Sequence, residues 1–210
     1  MVSTKTINQY EEEIAHYVID GTNGAKITSQ KVFQNDCPLH IEIGCGNGHF
    51  LMERCQNNLD INFIGIDISR KRVMKSALKM VKRDITNVRF LLGEGKSLLN
   101  ELFIDHSVET FYLNFPDPWP KRKHHKNRII RNDFIQLIFD KLKVSGYFYA
   151  ASDHSEYFHE ILNLFEGDER FINRFPNRYL NHLEGYEVSL YEEKWRTMKK
   201  EIYYLKFQKV

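Results

Sequence analysis

One carboxylate, Asp117, stands among three prolines in the run Leu113-Asn-Phe-Pro-Asp-Pro-Trp-Pro-Lys-Arg-Lys-His-His-Lys-Asn-Arg128. Proline fixes φ and removes an N–H donor, so residues 115–120 can continue neither a strand nor a helix. An acid and an aromatic ring, Trp119, are therefore carried on a stiff loop. A cationic tract follows at once: residues 121–131 hold six Lys or Arg, two His and no acid. That combination suits a flat polar ring borne on a polyanion. Trp119 can stack on a base or plug the loop against the body of the protein. Arg122, Lys123, Lys126 and Arg128 suit contact with backbone phosphates, and Lys121 lies nearest the acid. His124 and His125 have no third or fourth ligand at useful spacing, so no metal is expected.

A second group lies upstream, in Glu42-Ile-Gly-Cys-Gly-Asn-Gly48. Gly44, Gly46 and Gly48 permit a tight turn and close approach of a ligand to the backbone. The dinucleotide fingerprint needs Gly-x-Gly-x-x-Gly, and here the last position is His49. No Lys-Ser or Lys-Thr follows, which excludes a phosphate-gripping loop. Acids accompany the glycines. Asp67, ending Phe63-Ile-Gly-Ile-Asp67, can accept from both ribose hydroxyls of a nucleoside. Glu42 lies where an ammonium can sit, and Glu94 can reach the exocyclic amine of an adenine. So much negative charge repels a diphosphate and favours a cationic, adenosine-bearing ligand. S-adenosyl-L-methionine, with its sulfonium, amino acid and ribosyl adenine, has those features.

These residues need a scaffold that gathers strand ends. Strands are expected at 39–43, 61–66, 88–92, 108–113 and 147–151, and helices at 50–56, 70–83, 96–103, 130–142 and 155–164. A short helix within 10–19 precedes them, Gly146 marks the end region of helix 130–142, and strands near 186–191 and 201–207 follow. In helix 70–83, Val73, Ala77, Met80 and Val81 form an apolar stripe. Such alternation predicts an α/β fold, an open and mostly parallel sheet with helices on both faces. Ligands bind such sheets at the carboxyl ends of the strands, where every motif above falls. Asp153 follows the fifth strand, and Ser152 or Asp153 is placed to cap the next helix.

The bulk numbers set outer bounds. A chain of 210 residues, 42% hydrophobic and 28% charged, is ordinary for one globular domain. We divide it into an N-terminal extension, 1–36, and one domain, 37–210. A net charge of +2 carries no argument for nucleic acid, whereas the local basic tract does. Cys37, Cys45 and Cys55 do not form a disulfide framework and are expected as small buried hydrophobes. No apolar run reaches the ~18 residues of a membrane span, and the first residues lack the apolar core of a signal peptide, so a cytoplasmic protein is expected.

From about Phe33 to Phe207 the sequence resembles the bacterial, single-subunit tRNA (guanine-N7-)-methyltransferases. The likeness rests on residues 42–50, on Asn62-Phe-Ile-Gly-Ile-Asp67, on the Pro-Asp-Pro-Trp block with its His-Lys-Arg tract, and on Ala151-Ser-Asp153. It implies a Rossmann-like S-adenosylmethionine-dependent methyltransferase fold, tRNA as partner and no obligate protein subunit. It assigns Glu42 and Asp67 to the cofactor, Asp117 to both cofactor site and catalysis, and Lys121 and Asp153 to substrate. Glu94 stands where the family usually has Asp or Asn. Ser189-Leu-Tyr-Glu192 resembles a C-terminal Thr-x-Tyr/Phe-Glu substrate motif, which adds Ser189, Tyr191 and Glu192, with Ser keeping the hydroxyl. The target implied is N7 of the variable-loop guanine.

Three other readings compete. Adenine amino-methyltransferases carry an Asp/Asn-Pro-Pro-aromatic turn, which Asn114-Phe-Pro-Asp-Pro-Trp interrupts. A non-catalytic RNA-binding module would be expected to lose the cofactor acids or glycines, and all are present. A nicotinamide oxidoreductase is disfavoured by the missing glycine and the acidic loops.

Overall fold

The computed structural model describes residues 7, 9–21, 24–187 and 190–210, with backbone alone at 190 and 191. Its elements in chain order are α1 (Glu11–Tyr17), β1 (Val18–Ile19), α2 (Ser29–Phe33), β2 (Leu39–Ile43), α3 (His49–Asn57), β3 (Asn62–Asp67), α4 (Arg70–Val81), β4 (Val88–Leu92) and α5 (Gly95–Leu102). Then come β5 (Val108–Asn114), a 3-10 turn (Arg122–Asn127), α6 (Asn132–Lys141), β6 (Leu142–Ser152), α7 (Ser155–Glu166), β7 (Phe171–Asn173), α8 (Leu190–Thr197) and β8 (Tyr203–Lys209). Eight strands form one sheet in the order β1-β4-β3-β2-β5-β6-β8-β7. All neighbours are parallel except β8, which runs antiparallel to β6 and β7.

The central strands β2 and β3 are buried along their whole length. Their side chains alternate between two cores, as the two-residue period of a strand requires. Ile64, Ile66, Leu91, Phe111 and Leu113 face the core beneath α5, α6 and α7. Phe63, Val88, Phe90 and Tyr112 face Phe50, Leu51, Val73 and Ala77 of α3 and α4. On that second face Gly65 allows close helix packing: a Cβ there would lie 2.7 Å from the Leu51 side chain and 2.8 Å from Phe90. Register then brings the site acids together, because Glu42 lies opposite Gly65 on one side and Tyr112 on the other.

Three expectations are corrected. Residues 10–19 are not one helix: Val18 and Ile19 extend beside Phe90 and Leu91 as an edge strand, the habit of β-branched residues. Gly146 does not mark the end of a helix. It lies inside β6, which begins at Leu142 and is irregular there, with Ser145 at φ 65° and the place of a Gly146 Cβ only 2.8 Å from the Glu109 carbonyl oxygen. No strand forms at 186–187 or 190–191, and residues 190–197 are helical. β7 was not anticipated. Cys45 and Cys55 are buried and Cys37 half-buried, all three free. Among the described residues no helix is long and apolar enough to cross a membrane.

Candidate active site

A cavity of about 670 Å³ opens at the carboxyl ends of β2, β3, β4 and β5. One wall is the glycine loop. Gly44, Gly46 and Gly48 all have left-handed backbone, at φ 75°, 57° and 65°. A Cβ at Gly44 would meet nothing within 4 Å, and one at Gly46 only the Gly44 carbonyl, so both turn an open face to the cavity. Gly48 has a different duty, since a Cβ there would lie 2.8 Å from the Ser76 hydroxyl of α4. The amides of Gly44 and Cys45 donate to the Ile66 carbonyl at 2.8 and 3.0 Å, which ties the loop to β3.

Asp67 is 4% exposed and lines this cavity. Its carboxylate accepts from the Gly46 amide at 3.0 Å and the Ser69 amide at 2.8 Å, with the Arg72 guanidinium 3.7 Å away. Each oxygen keeps a second lone pair for a ligand hydroxyl. Glu42 is 3% exposed. Burial pushes its carboxyl up to about 7; the hydrogen bond from Asn114 opposes that rise and the charge of Asp67 adds to it. Its Oε1 accepts from Asn114 Nδ2 at 3.0 Å, while its buried Oε2 has no hydrogen-bond partner. An ammonium brought to Oε2 would both pair the charge and fill that lone pair, so these residues fit a cationic ligand.

Glu94 also lines the cavity, but its carboxylate caps α5. It accepts from the amides of Lys96 at 3.1 Å and Ser97 at 2.7 Å, and from the Ser97 hydroxyl. Partial burial pushes its pKa up, and these donors outweigh that and hold it below the usual carboxylate range. The longer acid is thus spent in part on the helix end.

A second wall is the proline loop. Asp117 and Trp119 line the same cavity and are exposed, Trp119 to 37%. Trp119 is not plugged against the sheet; its ring meets His124 edge-on with centroids 5.9 Å apart. Phe115 and Trp119, on either side of Asp117, both have positive φ, at 52° and 45°. For bulky residues this conformation costs on the order of 1–3 kcal/mol each and is typical of functional loops. Two ties hold it. The Phe115 amide donates to the Ala151 carbonyl at 2.8 Å, and Arg128 Nε donates to the Pro118 carbonyl at 2.8 Å.

Arg128 overturns its expectation as a phosphate contact. It is 3% exposed, pairs with Glu156 at 3.2 Å and with Glu160, and lies 4.7 Å over the Tyr157 ring. Its guanidinium organises the proline loop from behind. Lys121, Arg122, Lys123 and Lys126 are exposed as expected. Asp153 sits beyond β6, beside β5, and its carboxylate pairs with Lys200 at 3.0 Å. It does not cap α7, and neither does Ser152; the His154 ring takes that place, accepting from the Tyr157 amide. Glu192 is 2% exposed and engaged by Arg196 at 2.8 Å and by the Tyr204 hydroxyl, so its carboxylate binds the C-terminal elements together. Ser189 and the Tyr191 side chain lie outside the described residues.

Sequence reasoning missed the support behind Glu42. The Tyr186 hydroxyl donates to Asn114 Oδ1 at 2.7 Å, which turns Nδ2 of that amide toward Glu42. Beside it, Arg54 pairs with Glu187 at 2.7 Å and donates to the Tyr112 hydroxyl at 2.8 Å. Burial, with the charges of Arg54 and Lys143, pushes His40 down to about 3. Neutral His40 Nδ1 can then accept from that hydroxyl, 3.1 Å away. Lys194 of α8 lines the cavity as well.

The chain is similar to known proteins over most of its length. A family model described as a putative methyltransferase matches residues 36–205. A tRNA (guanine-N(7)-)-methyltransferase from Geobacter metallireducens is 35% identical over 179 residues, 85% of each chain. One from Streptococcus pyogenes is 36% identical over 197 residues, 92% of this chain and 93% of its own. Among solved structures, a putative methyltransferase from Streptococcus mutans, in complex with SAH, shares the fold across both whole chains with a TM-score of 0.55 and 12% identity.

Proposed function

The chain belongs to the tRNA (guanine-N(7)-)-methyltransferase family, and from that premise we propose that it transfers a methyl group from S-adenosyl-L-methionine to N7 of the variable-loop guanine of tRNA. The observation that carries the reading is the shared cavity: the glycine cradle with its acids forms one wall and the Asp117 loop the other. Glu42 would hold the ammonium, Asp67 the ribose, and the open faces of Gly44 and Gly46 the body of the cofactor. When bound, the cofactor supplies an electrophilic methyl on sulfur.

Guanine N7 carries an in-plane lone pair that is unprotonated near neutral pH, so no strong general base is needed. The protein's task is alignment, together with offsetting the positive charge that grows on the purine. Asp117 faces the cavity and suits the second role, and it can also accept from guanine N1 and N2 donors. Trp119 is free to stack on a base, and the exposed cations at 121–126 suit flanking phosphates. Lys121 and Asp153 would act on the substrate side, Asp153 after release from Lys200.

Incubation of undermodified tRNA with labelled S-adenosyl-L-methionine, followed by nucleoside mapping, tests this reading. The expected product is 7-methylguanosine without methyladenosine. Methyladenosine as the sole product would overturn it.

A further inference from the structure

The helix that follows Asp67 is unusually cationic. Residues 70–83 contain Arg70, Lys71, Arg72, Lys75, Lys79, Lys82 and Arg83, and no acid. Without these seven charges the chain's net charge of +2 would fall to −5, so residues 70–83 are a concentrated positive feature of the chain. Its C-terminal half borders a cleft of about 260 Å³ lined by Asn47, His49, Lys75, Lys79, Lys82 and Arg83, with Leu78. Among the described residues only Arg72 of the seven has a carboxylate within ion-pair distance. Lys79 donates to the Asn47 carbonyl at 2.6 Å, and Lys82 lies 5.5 Å over the Tyr10 ring.

Crowded cations repel, and burial adds to the cost of their charge. Lys79 is pushed down to about 8 by burial and then by Arg83. His49 is pushed down to about 4 by burial, then by Lys79 and Arg83. An anion placed among them relieves that repulsion. The cleft also adjoins the active site, because Asn47 and His49 line both cavities. A polyanion that enters the active-site cavity can reach this cleft around the glycine loop.

We infer that the cleft bordered by Lys75, Lys79, Lys82 and Arg83 is a second docking site for the RNA substrate, holding backbone phosphates outside the segment that enters the active site. The inference rests on the tRNA reading above. Contacts of this kind are independent of base sequence and release counterions.

The test compares two double variants by tRNA affinity against salt. Lys75→Ala with Lys82→Ala removes two cleft cations and leaves Lys79 to hold the glycine loop. Lys31→Ala with Lys143→Ala removes two cations near the starts of β2 and β6, at the other end of the sheet. The cleft variant is expected to lower the salt slope by about 1–2 and raise KM for tRNA several-fold, with cofactor affinity and turnover at saturating tRNA unchanged. Lys75→Arg with Lys82→Arg should restore the slope. Retained cofactor binding by calorimetry shows that each variant is folded; should the alanine pair fail it, Lys82→Gln alone carries the comparison, with a slope change of about 1. A cleft variant whose slope matches the control pair, in a protein that still makes 7-methylguanosine, would overturn the docking site and leave the methyltransferase reading standing. Absence of 7-methylguanosine from the wild type would instead remove the reading beneath it.

Discussion

The two walls of the active-site cavity are built in opposite ways. On the glycine-loop side Glu42 and Asp67 are buried, and backbone amides, Asn114 and Tyr186 hold them in place. On the proline-loop side Asp117 and Trp119 are exposed, and the chain is shaped by ring constraints, two positive-φ residues and the ties from Phe115 and Arg128. A small ligand of constant shape rewards a preformed, desolvated cradle. A polyanion with variable flanks needs an open wall of fixed backbone that it completes on docking.

The largest effect should come from the open wall. If Asp117 offsets charge that appears only in the transition state, Asp117→Asn keeps the shape and removes the charge. Turnover should fall on the order of 10²-fold, while tRNA and cofactor affinities change little. Single-turnover kinetics beside both binding constants separate the cases. A loss confined to cofactor affinity would assign Asp117 to the cradle and erase the division between the walls.

Next in size is Glu42→Gln, which sets ligand binding against stability. The carboxyl titrates at about 7 in the folded protein against an ordinary 4.5. A raised carboxyl pKa means a stability contribution fully present below pH 4.5, lost as pH rises through 7 and absent above it. The shift corresponds to a cost on the order of 3 kcal/mol. Gln avoids that cost and can still accept from Asn114. The variant should therefore melt higher than the wild type at pH 8, with little difference at pH 4.5. Its cofactor affinity should drop roughly 10–100-fold, as for a lost charge-assisted bond. Wild-type cofactor affinity should itself weaken as pH falls from 8 to 6. An affinity independent of pH would show that Glu42 does not meet the ammonium.

Arg128 and Lys123 were equal members of one basic tract in the sequence, and the structure separates them. Arg128→Ala removes a buried cation from Glu156, Glu160, Tyr157 and the Pro118 carbonyl. Both glutamates are partly exposed, so solvent screening reduces the loss, and destabilisation of about 1–3 kcal/mol is expected in denaturant unfolding. Lys123→Ala should stay within about 0.5 kcal/mol and lower the tRNA salt slope by about 1. Equal stabilities for the two variants would contradict the burial of Arg128.

Which of these features could be read in advance follows from how far apart the partners lie in the chain. The central strands, the glycine turn and the rigid proline segment were legible because each depends on neighbouring residues. The burial of Arg128 was not, since its anions come from α7 about thirty residues later. Nor was the Asn114–Tyr186 pair, separated by 72 positions. Glu94 looked like a ligand because nothing local distinguishes a pocket acid from a helix cap, and this one is both a lining residue and a cap. The cations of α4 were visible, but only the helix's apolar stripe was used; their meaning depends on which of them have a carboxylate within reach, and a sequence cannot display that. Val18 and Ile19 continued a helical pattern until sheet pairing at the edge claimed them.

The smallest effect tests whether the built wall reaches beyond its own ligand contacts. Tyr186 comes from the segment just before α8, and its hydroxyl fixes the Asn114 amide that donates to Glu42. Its ring packs against Phe50, Tyr112 and Tyr149, with centroids 5.1 to 6.2 Å apart. Tyr186→Phe keeps that packing and deletes one bond. Asn114 is then free to flip, and half of its orientations would turn a carbonyl oxygen toward the Glu42 carboxylate. Stability should fall by about 1 kcal/mol, the net worth of one hydrogen bond. Cofactor affinity should weaken several-fold, and the pH at which it falls should move upward, because Glu42 loses a donor that favours its charged form. A purely structural tyrosine would change stability and leave that pH profile where it was. Titration of cofactor binding between pH 6 and 8.5, wild type beside Tyr186→Phe, distinguishes the two. An unmoved midpoint would confine the preorganisation to the glycine loop itself.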